Sequence, residues 1–287
     1  MSAKPREQTD QRPIIAGIGA GSIVRRKADG SFECVTDEVA IEEPLEIRLG
    51  KESIAVTMRT PGHDEELAAG FLLSEGLIRT RGDLRELAHC TLPNSFGNIV
   101  NVALTSAAKP DLGSVHRFGT ISTSCGLCGK TSIEAIHQHF PPIDVRSAQI
   151  TVEQLLTMPA RLRSEQGNFD RTGGIHAAAI FRLGDGESVI LREDIGRHNA
   201  VDKAIGRALL DELLPLKNHA LMVSGRSSLE IVQKALAAGI AIVASVSAPS
   251  SLAVTFARES GQTLIGFLRP PTFNVYSHIE RVDLRGA

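Results

Sequence analysis

The chain has 287 residues, 42% of them hydrophobic and 22% charged, with a formal net charge of -2. That is enough for one large or two ordinary globular domains with real cores. The near-neutral balance excludes the strongly basic face of a phosphate-backbone binder, and the absence of Trp with a single Tyr leaves few platforms for stacking bases.

Met1 to Pro13 is polar and lacks the apolar centre of a secretory signal, so it reads as a disordered arm. Gly17, Gly19 and Gly21 lack the strand-to-helix context of a dinucleotide fingerprint and are expected in a flexible lead-in loop. Strands are predicted at Ser22 to Arg25, Phe32 to Val39, Leu45 to Leu49 and Ile54 to Thr60. Leu49-Gly50-Lys51-Glu52 forms a hairpin turn in this reading. Thr60-Pro61-Gly62-His63-Asp64 stops the strand and opens a helix carrying Leu67, Phe71, Leu72 and Leu77 at helical spacing. Phe96 to Leu104 is a further strand, followed by a Cys125-Gly126-Leu127-Cys128-Gly129 segment and a helix from about Gly129 to Phe140.

Pro141 to Ala148 marks the expected boundary between an N-terminal portion, 14–145, and a second portion, 146–287. A helix capped by Thr151 opens the latter. Strands at Ile175 to Arg182 and Ser188 to Arg192 flank a glycine turn, and a helix runs from about Arg197 to Leu213. Strands at Ala220 to Val223, Ile240 to Val246 and Thr263 to Leu268 then alternate with helices at Ser227 to Ala238 and Ser250 to Glu259. Such alternation calls for a parallel sheet covered on both faces. Ser224 to Leu229 and Ser247 to Leu252 are a quasi-repeat of strand-to-helix turns, and Ser227 with Glu230 has capping-box spacing.

The polar clusters of this half fall at strand C-termini: Arg192 to Asn199, Ser224-Gly225-Arg226, Ser247 to Ser250, and Arg269 to Thr272. That is the ligand edge of an open α/β sheet. Arg192, Arg197, Arg226 and Arg269 are expected to line one crevice, offering planar donors that suit a pyrophosphate-bearing ligand.

No apolar run reaches the about 20 residues of a membrane-spanning helix. Four cysteines, with Cys34 and Cys90 standing apart, do not make a secreted disulfide framework, so a reducing cytoplasm fits. Cys125 and Cys128 at a helix mouth favour a thiolate, because backbone N–H groups and the helix dipole stabilise the charge. A zinc site lacks a second ligand pair, since His137 and His139 point to different helix faces. A dithiol couple and a sulfur-carrying nucleophile both remain open.

The chain resembles the FdhD/NarQ family of formate dehydrogenase accessory sulfurtransferases. The resemblance rests on Thr60-Pro61-Gly62, Glu66-Leu67, Gly70-Phe71-Leu72 and Glu75-Gly76; on Ser124 to Gly129 and Thr172 to His176; and on Glu193 to Lys203, Ser224-Gly225-Arg226, Gly266 to Arg269 and Asn274 to Tyr276. It implies an α/β, cytidine deaminase-like three-layer sandwich with an N-terminal α+β portion. It also implies a homodimer that takes sulfur from a cysteine desulfurase and passes it to the molybdenum cofactor, bis-molybdopterin guanine dinucleotide, for apo-formate dehydrogenase, with no structural metal. By position Cys125 bears the persulfide and Cys128 assists. Phe267, Leu268, Arg269, Pro270, Pro271 and Thr272 correspond to the cofactor-binding stretch, joined by Ser224, Gly225, Arg226, Arg197 and His198. The Pro270-Pro271 pair removes two N–H donors from that stretch. Asp194, His198 and Asp202 fall close together, for either a ligand or structural hydrogen bonding.

Overall fold

The computed structural model describes residues 17–91, 97–108, 110, 140–146 and 148–285. The arm at 1–13 and the Cys125 to Phe140 segment with its helix lie outside these, apart from Phe140 itself. The first unit is a two-stranded ribbon of β1 (Ile18–Arg26) and β2 (Phe32–Ala40). Gly19 and Gly21 therefore stand within a strand, opposite Val39 and Asp37, and not in a loop. An exposed ribbon asks little of side-chain packing, so glycine is tolerated there. Gly17 is the position that needs glycine, with φ +89° and the Thr60 methyl 2.6 Å from where a Cβ would stand.

A four-stranded sheet follows, built of β3 (Glu43–Leu49), β4 (Glu52–Arg59), β5 (Leu84–His89) and β6 (Ile99–Leu104) in the order β4-β3-β6-β5. Leu49 pairs with Glu52, so Gly50 and Lys51 make the two-residue turn the sequence announces. Strand β5 gave no such signal, because only Leu84 of its six residues is buried. Helix α1 (Asp64–Ser74) packs against this sheet and is buried on nearly every side.

The larger sheet has six strands: β8 (His176–Arg182), β9 (Ser188–Asp194), β10 (His219–Val223), β11 (Ile242–Ser245), β12 (Thr263–Arg269) and β13 (Thr272–Ser277). Their order is β13-β12-β11-β10-β8-β9. Short β7 (Ile150–Thr151) and β14 (Val282–Asp283) pair separately. Among neighbouring strands of the six-stranded sheet only the β10–β11 and β11–β12 pairs are parallel. The expected all-parallel sheet is thus mixed, since the β8–β9 and β12–β13 connections are too short for a crossover and must form antiparallel pairs.

Alternation along the strands sorts two cores. Ala178, Ile180, Leu221, Val223 and Val243 face helices α1, α4 (Arg197–Leu210), α5 (Leu229–Ala237) and α6 (Ser251–Glu259). Ala177, Ala179, Phe181, Ala220, Met222 and Ile242 face helix α2 (Val152–Ser164). Helices thus cover both faces of the sheet, in a three-layer α/β arrangement. Thr151 caps α2 in a full capping box, its Oγ1 accepting from Gln154 N at 3.1 Å and its own N–H donating to Gln154 Oε1 at 3.0 Å. The short α3 (Gly167–Thr172) lies beside β2.

Helices α1 and α4 meet backbone to backbone. A Cβ on Gly70 would fall 1.9 Å from the Asp202 carbonyl oxygen, and one on Gly206 would fall 1.8 Å from that of Glu66. Neither position admits a side chain without separating the helices. This contact fixes α4, and with it the turn from β9 into α4, against the rest of the molecule.

Candidate functional site at the strand ends

Strand β8 is antiparallel to both β9 and β10, so β9 runs the same way as β10, β11 and β12. The turns after β9, β10, β11 and β12 consequently share one edge of the sheet, together with the start of β8. Hydrogen bonds join them in series: Ser227 N donates to the Ala248 carbonyl at 3.3 Å, Ser250 N to the Ser227 carbonyl at 3.0 Å, and Phe267 N to the Ser247 carbonyl at 3.1 Å.

The segment Glu193 to Lys203 supplies this edge and also anchors it. Asp194 is fully buried and lies 2.6 Å from Lys203 Nζ. Its carboxylate also accepts from Thr60 N at 3.2 Å, Gly196 N at 2.8 Å and Asn199 Nδ2 at 3.1 Å. Thr60 answers through its hydroxyl, which accepts from Ile195 N at 3.1 Å, and its carbonyl, which accepts from Lys203 at 2.8 Å. Asp202 points the other way along α4, held by both Lys234 contacts at 2.8 Å and by Ser74 Oγ at 2.9 Å. Burial pushes the Asp202 carboxyl up, and Lys234 and Ser74 oppose that shift. Asp194 and Asp202 are therefore structural, and they do not form a cluster with His198.

Arg192 is also withdrawn from the expected crevice. Its guanidinium forks onto Glu66 of α1, with Nη2 2.8 Å from Oε1. Burial raises the Glu66 carboxyl, but Arg192 and His63 more than reverse this and hold it at about 2. Strand alternation explains this: side chains at 192 and 194 point to the face of the sheet covered by α1 and α4 and meet partners there.

Arg197, Arg226 and His176 are brought together. His176 opens β8, and a Cβ on Gly225 would stand 3.3 Å from its Nδ1 and 3.6 Å from Arg197 Cδ, so the three residues lie against one another and a side chain at 225 would crowd the imidazole. Burial, then the charges of Arg197 and Arg226, lower the His176 pKa. Ser224 locks the same corner, its N–H donating to the Ala177 carbonyl and its hydroxyl accepting from Ala177 N, both at 2.9 Å. Arg226 is exposed, while Arg197 Nε is buried with no hydrogen-bond partner. An unpaired guanidinium donor beside a second arginine is chemistry suited to an anion.

Arg269 stands farther along the edge, beyond the 247–250 turn. Its Nε donates to the Val246 carbonyl at 3.0 Å, and its guanidinium lies 5.9 Å from the centre of the Phe267 ring. Phe267 is 38% exposed and has φ 51°, an unusual conformation for a bulky residue that turns the ring outward from an otherwise buried strand. Gly266 leaves room for Pro249, whose Cδ would be 2.8 Å from a Cβ there. Leu268 is buried in the α2-side core, and Pro270-Pro271 forms the turn to Thr272, whose hydroxyl donates to the Arg269 carbonyl at 3.2 Å.

His198 faces α5. Its Nε2 is 3.0 Å from Ser228 Oγ, and its Nδ1 is 3.1 Å from Glu230 Oε2. Burial and the charges of Arg197, Lys234 and His176 pull the imidazole down to about 3 despite the nearby carboxylate. Half-exposed Glu230 is screened by water, so it does not offset the burial and the neighbouring positive charges, and the ring stays neutral beside it. The capping box anticipated for Ser227 and Glu230 does not form: α5 starts at Leu229, and Ser227 Oγ is buried without a partner. The sequence reading missed the placing of His176, Ser228 and Glu230 around this corner. His176 had a signal in the Thr172 to His176 motif, whereas the other two looked like ordinary helix-start residues.

Cys125 and Cys128 lie outside the described residues. Among the described cysteines, Cys34 is exposed and Cys90 half-buried. No helix among the described residues is long and apolar enough to cross a membrane.

Comparison with known proteins places these features in context. The FdhD/NarQ family model matches residues 40–283. A sulfur carrier protein FdhD from Streptomyces coelicolor is 49% identical over 271 residues, covering 92% of this chain and 95% of its own. Its counterpart in Mycolicibacterium paratuberculosis is 48% identical over 282 residues, covering 96% and 99%. A crystal structure from Desulfotalea psychrophila, whose name is that of a formate dehydrogenase accessory protein, superposes with a TM-score of 0.72. It is 26% identical, and the match covers 93% of this chain and all of the other.

Proposed function

The chain belongs to the FdhD/NarQ family, and from that premise we propose that it is a sulfur carrier, a cytoplasmic sulfurtransferase serving formate dehydrogenase. In this reading Cys125 attacks the outer sulfur of a cysteine desulfurase persulfide as a thiolate. A new S–S bond forms at Cys125, the desulfurase S–S bond breaks, and the desulfurase thiolate leaves. Cys128 is the neighbour that assists or shares the sulfur. The acceptor is the molybdenum cofactor, bis-molybdopterin guanine dinucleotide, taken as a substrate on its way to the apoenzyme.

The observation that carries this reading is the grouping of Arg197, Arg226 and His176 at one sheet edge, with Arg197 Nε left without a partner. The donor set fits a pyrophosphate: two guanidinium groups, and turns in which Ser224 and Gly225 allow close approach. Arg269 and the outward Phe267 ring offer a charged and aromatic surface for guanine farther along, with Leu268, Pro270, Pro271 and Thr272 shaping that turn. His198 closes the side toward α5. In a homodimer each dinucleotide half of the ligand would have such an edge.

Incubating the purified chain with a cysteine desulfurase and cysteine tests the sulfur step. Mass spectrometry should find one added sulfur atom on the Cys125 peptide, absent in Cys125→Ala. No added sulfur, with formate dehydrogenase maturation intact in Cys125→Ala, would leave a cofactor chaperone instead. Rapid reduction of an artificial disulfide without sulfur uptake would indicate a dithiol oxidoreductase.

A further inference from the structure

We propose that the cavity at the C-terminal ends of α4 and α5 binds a small monocarboxylate with an apolar body, at a site separate from the strand-end edge. The cavity measures about 490 Å³, within the about 300–1,000 Å³ usual for small-molecule sites. Both helices start at the strand-end edge and run away from it. The fourteen residues of α4 put about 20 Å between that edge and the cavity, so a small ligand held here does not reach Arg197 or Arg226.

One wall is apolar. Leu209 from the last turn of α4, Leu214 and Pro215 from the loop after it, and Ala237 and Ala238 from the end of α5 line it. The backbone of this wall has few polar groups left for a ligand. Glu212 N donates to the Leu209 carbonyl at 3.0 Å and Leu213 N to that of Ala208 at 2.9 Å, while Gly239 N and Ile240 N donate to the Leu236 and Ala235 carbonyls, both at 2.9 Å. Leu216 N ties the loop to α5 through the Ala238 carbonyl at 2.9 Å. Carbonyls at these helix ends are thus engaged by the chain itself. The wall is also tightly joined, since a Cβ on Gly239 would stand 2.9 Å from Pro215 Cβ.

The other wall is cationic. Arg79, Thr80, Arg81 and Gly82 form it, around a single 3-10 turn at Arg81–Asp83. A carboxylate stands within this turn, yet it leaves the arginines without a counter-ion: Asp83 Oδ2 accepts from the backbone N–H of Arg79 at 2.8 Å and of Thr80 at 2.9 Å. Arg81 Nη1 donates to the Leu84 carbonyl at 2.8 Å, and among the described residues neither guanidinium meets a carboxylate. Arg207, in the last turn of α4, shows the ordinary outcome, pairing with Asp211 at 2.6 Å. Two arginines without a counter-ion beside an apolar wall match a ligand with a carboxylate at one end and hydrocarbon at the other. Among the described residues Glu212 is the only carboxylate lining the cavity. It repels a second anionic group, which restricts the class to monocarboxylates.

Fluorescence titration of the full-length protein with dansylglycine, an aromatic monocarboxylate whose emission rises in apolar surroundings, tests the site. Saturable binding is expected, about tenfold weaker for dansylamide, which keeps the ring system and lacks the carboxylate. Arg79→Gln and Arg81→Gln should each weaken dansylglycine about tenfold, the loss of about one charge-assisted hydrogen bond, and leave dansylamide unchanged. Ala237→Leu should abolish binding of both probes by filling the cavity, at a position where leucine suits a helix. Lys217→Gln, which removes an exposed cation outside the cavity, should alter neither. No saturable binding, equal affinity for the two probes, dansylglycine affinity indifferent to both arginine variants, or full binding in Ala237→Leu would each overturn the proposal. Displacement of dansylglycine by GDP would overturn it too, by placing the probe at the strand-end edge.

Discussion

The two sides of one segment, Glu193 to Lys203, differ in what their charges do. Asp194, Asn199, Asp202 and Lys203 turn inward and are buried, each with identified partners. Arg197 and His198 turn toward the sheet edge, where Arg197 Nε has no partner and His198 meets Ser228 and Glu230 at the start of α5. The inward set immobilises the turn, and the outward set is what the turn presents. A motif that reads as one functional string is therefore half scaffold and half site.

The sharpest way to test that division is to break the inward half. Lys203→Met leaves Asp194 buried without its cation, and removal of one partner from such a pair costs about 3–5 kcal/mol. Chemical denaturation should show that loss, whereas Arg226→Gln should stay within about 0.5 kcal/mol of the parent because its side chain is exposed.

Acid should probe the Glu66–Arg192 pair beside that segment next. Glu66 falls from its ordinary 4.5 to about 2 in the folded protein, so its contribution is complete above pH 4.5 and disappears as pH falls toward 2. The linkage amounts to about 3 kcal/mol, and Glu66→Gln should flatten the decline of stability with pH over that window. An unchanged slope would remove Glu66 from the anchoring set.

The smallest effect separates the two helix-start turns. Ser250→Ala should cost about 1 kcal/mol through loss of a cap, whereas Ser227→Ala should cost less because no hydrogen bond is broken. Equal losses would mean that the two turns do the same work.

Much of this architecture is legible locally. The Leu49 to Glu52 turn, the Thr151 cap and the gathering of polar clusters at strand ends all follow from short-range rules, because each depends on a few neighbouring residues. The remainder depends on partners far apart in sequence. Thr60 with Asp194, Glu66 with Arg192 and Gly70 against Asp202 join the two portions, and no local pattern announces such pairs. Helix α1 is legible from its apolar spacing, but its burial on nearly all sides is not, because the partners that cover it lie far away in sequence. Strand β13 was hidden by the Pro270-Pro271 pair, which the sequence reading treated as part of a binding stretch and which also forms a hairpin turn. For the site, the sequence grouped four arginines correctly by strand end but not by side-chain direction. Arg192 went inward, and a serine that looked like a helix cap was engaged by His198.

The most direct measurement is calorimetric titration of the full chain with GDP, used as a guanine and pyrophosphate probe, alongside Arg197→Gln, Arg226→Gln and Arg85→Gln. Arg85 lies on β5 of the smaller sheet, away from the proposed edge. Measurable affinity is expected, weakened about tenfold in each of the first two variants by the loss of about one charge-assisted hydrogen bond and unchanged in the third. Binding that is equally strong in all four proteins would contradict the assignment of the strand-end edge as the cofactor site.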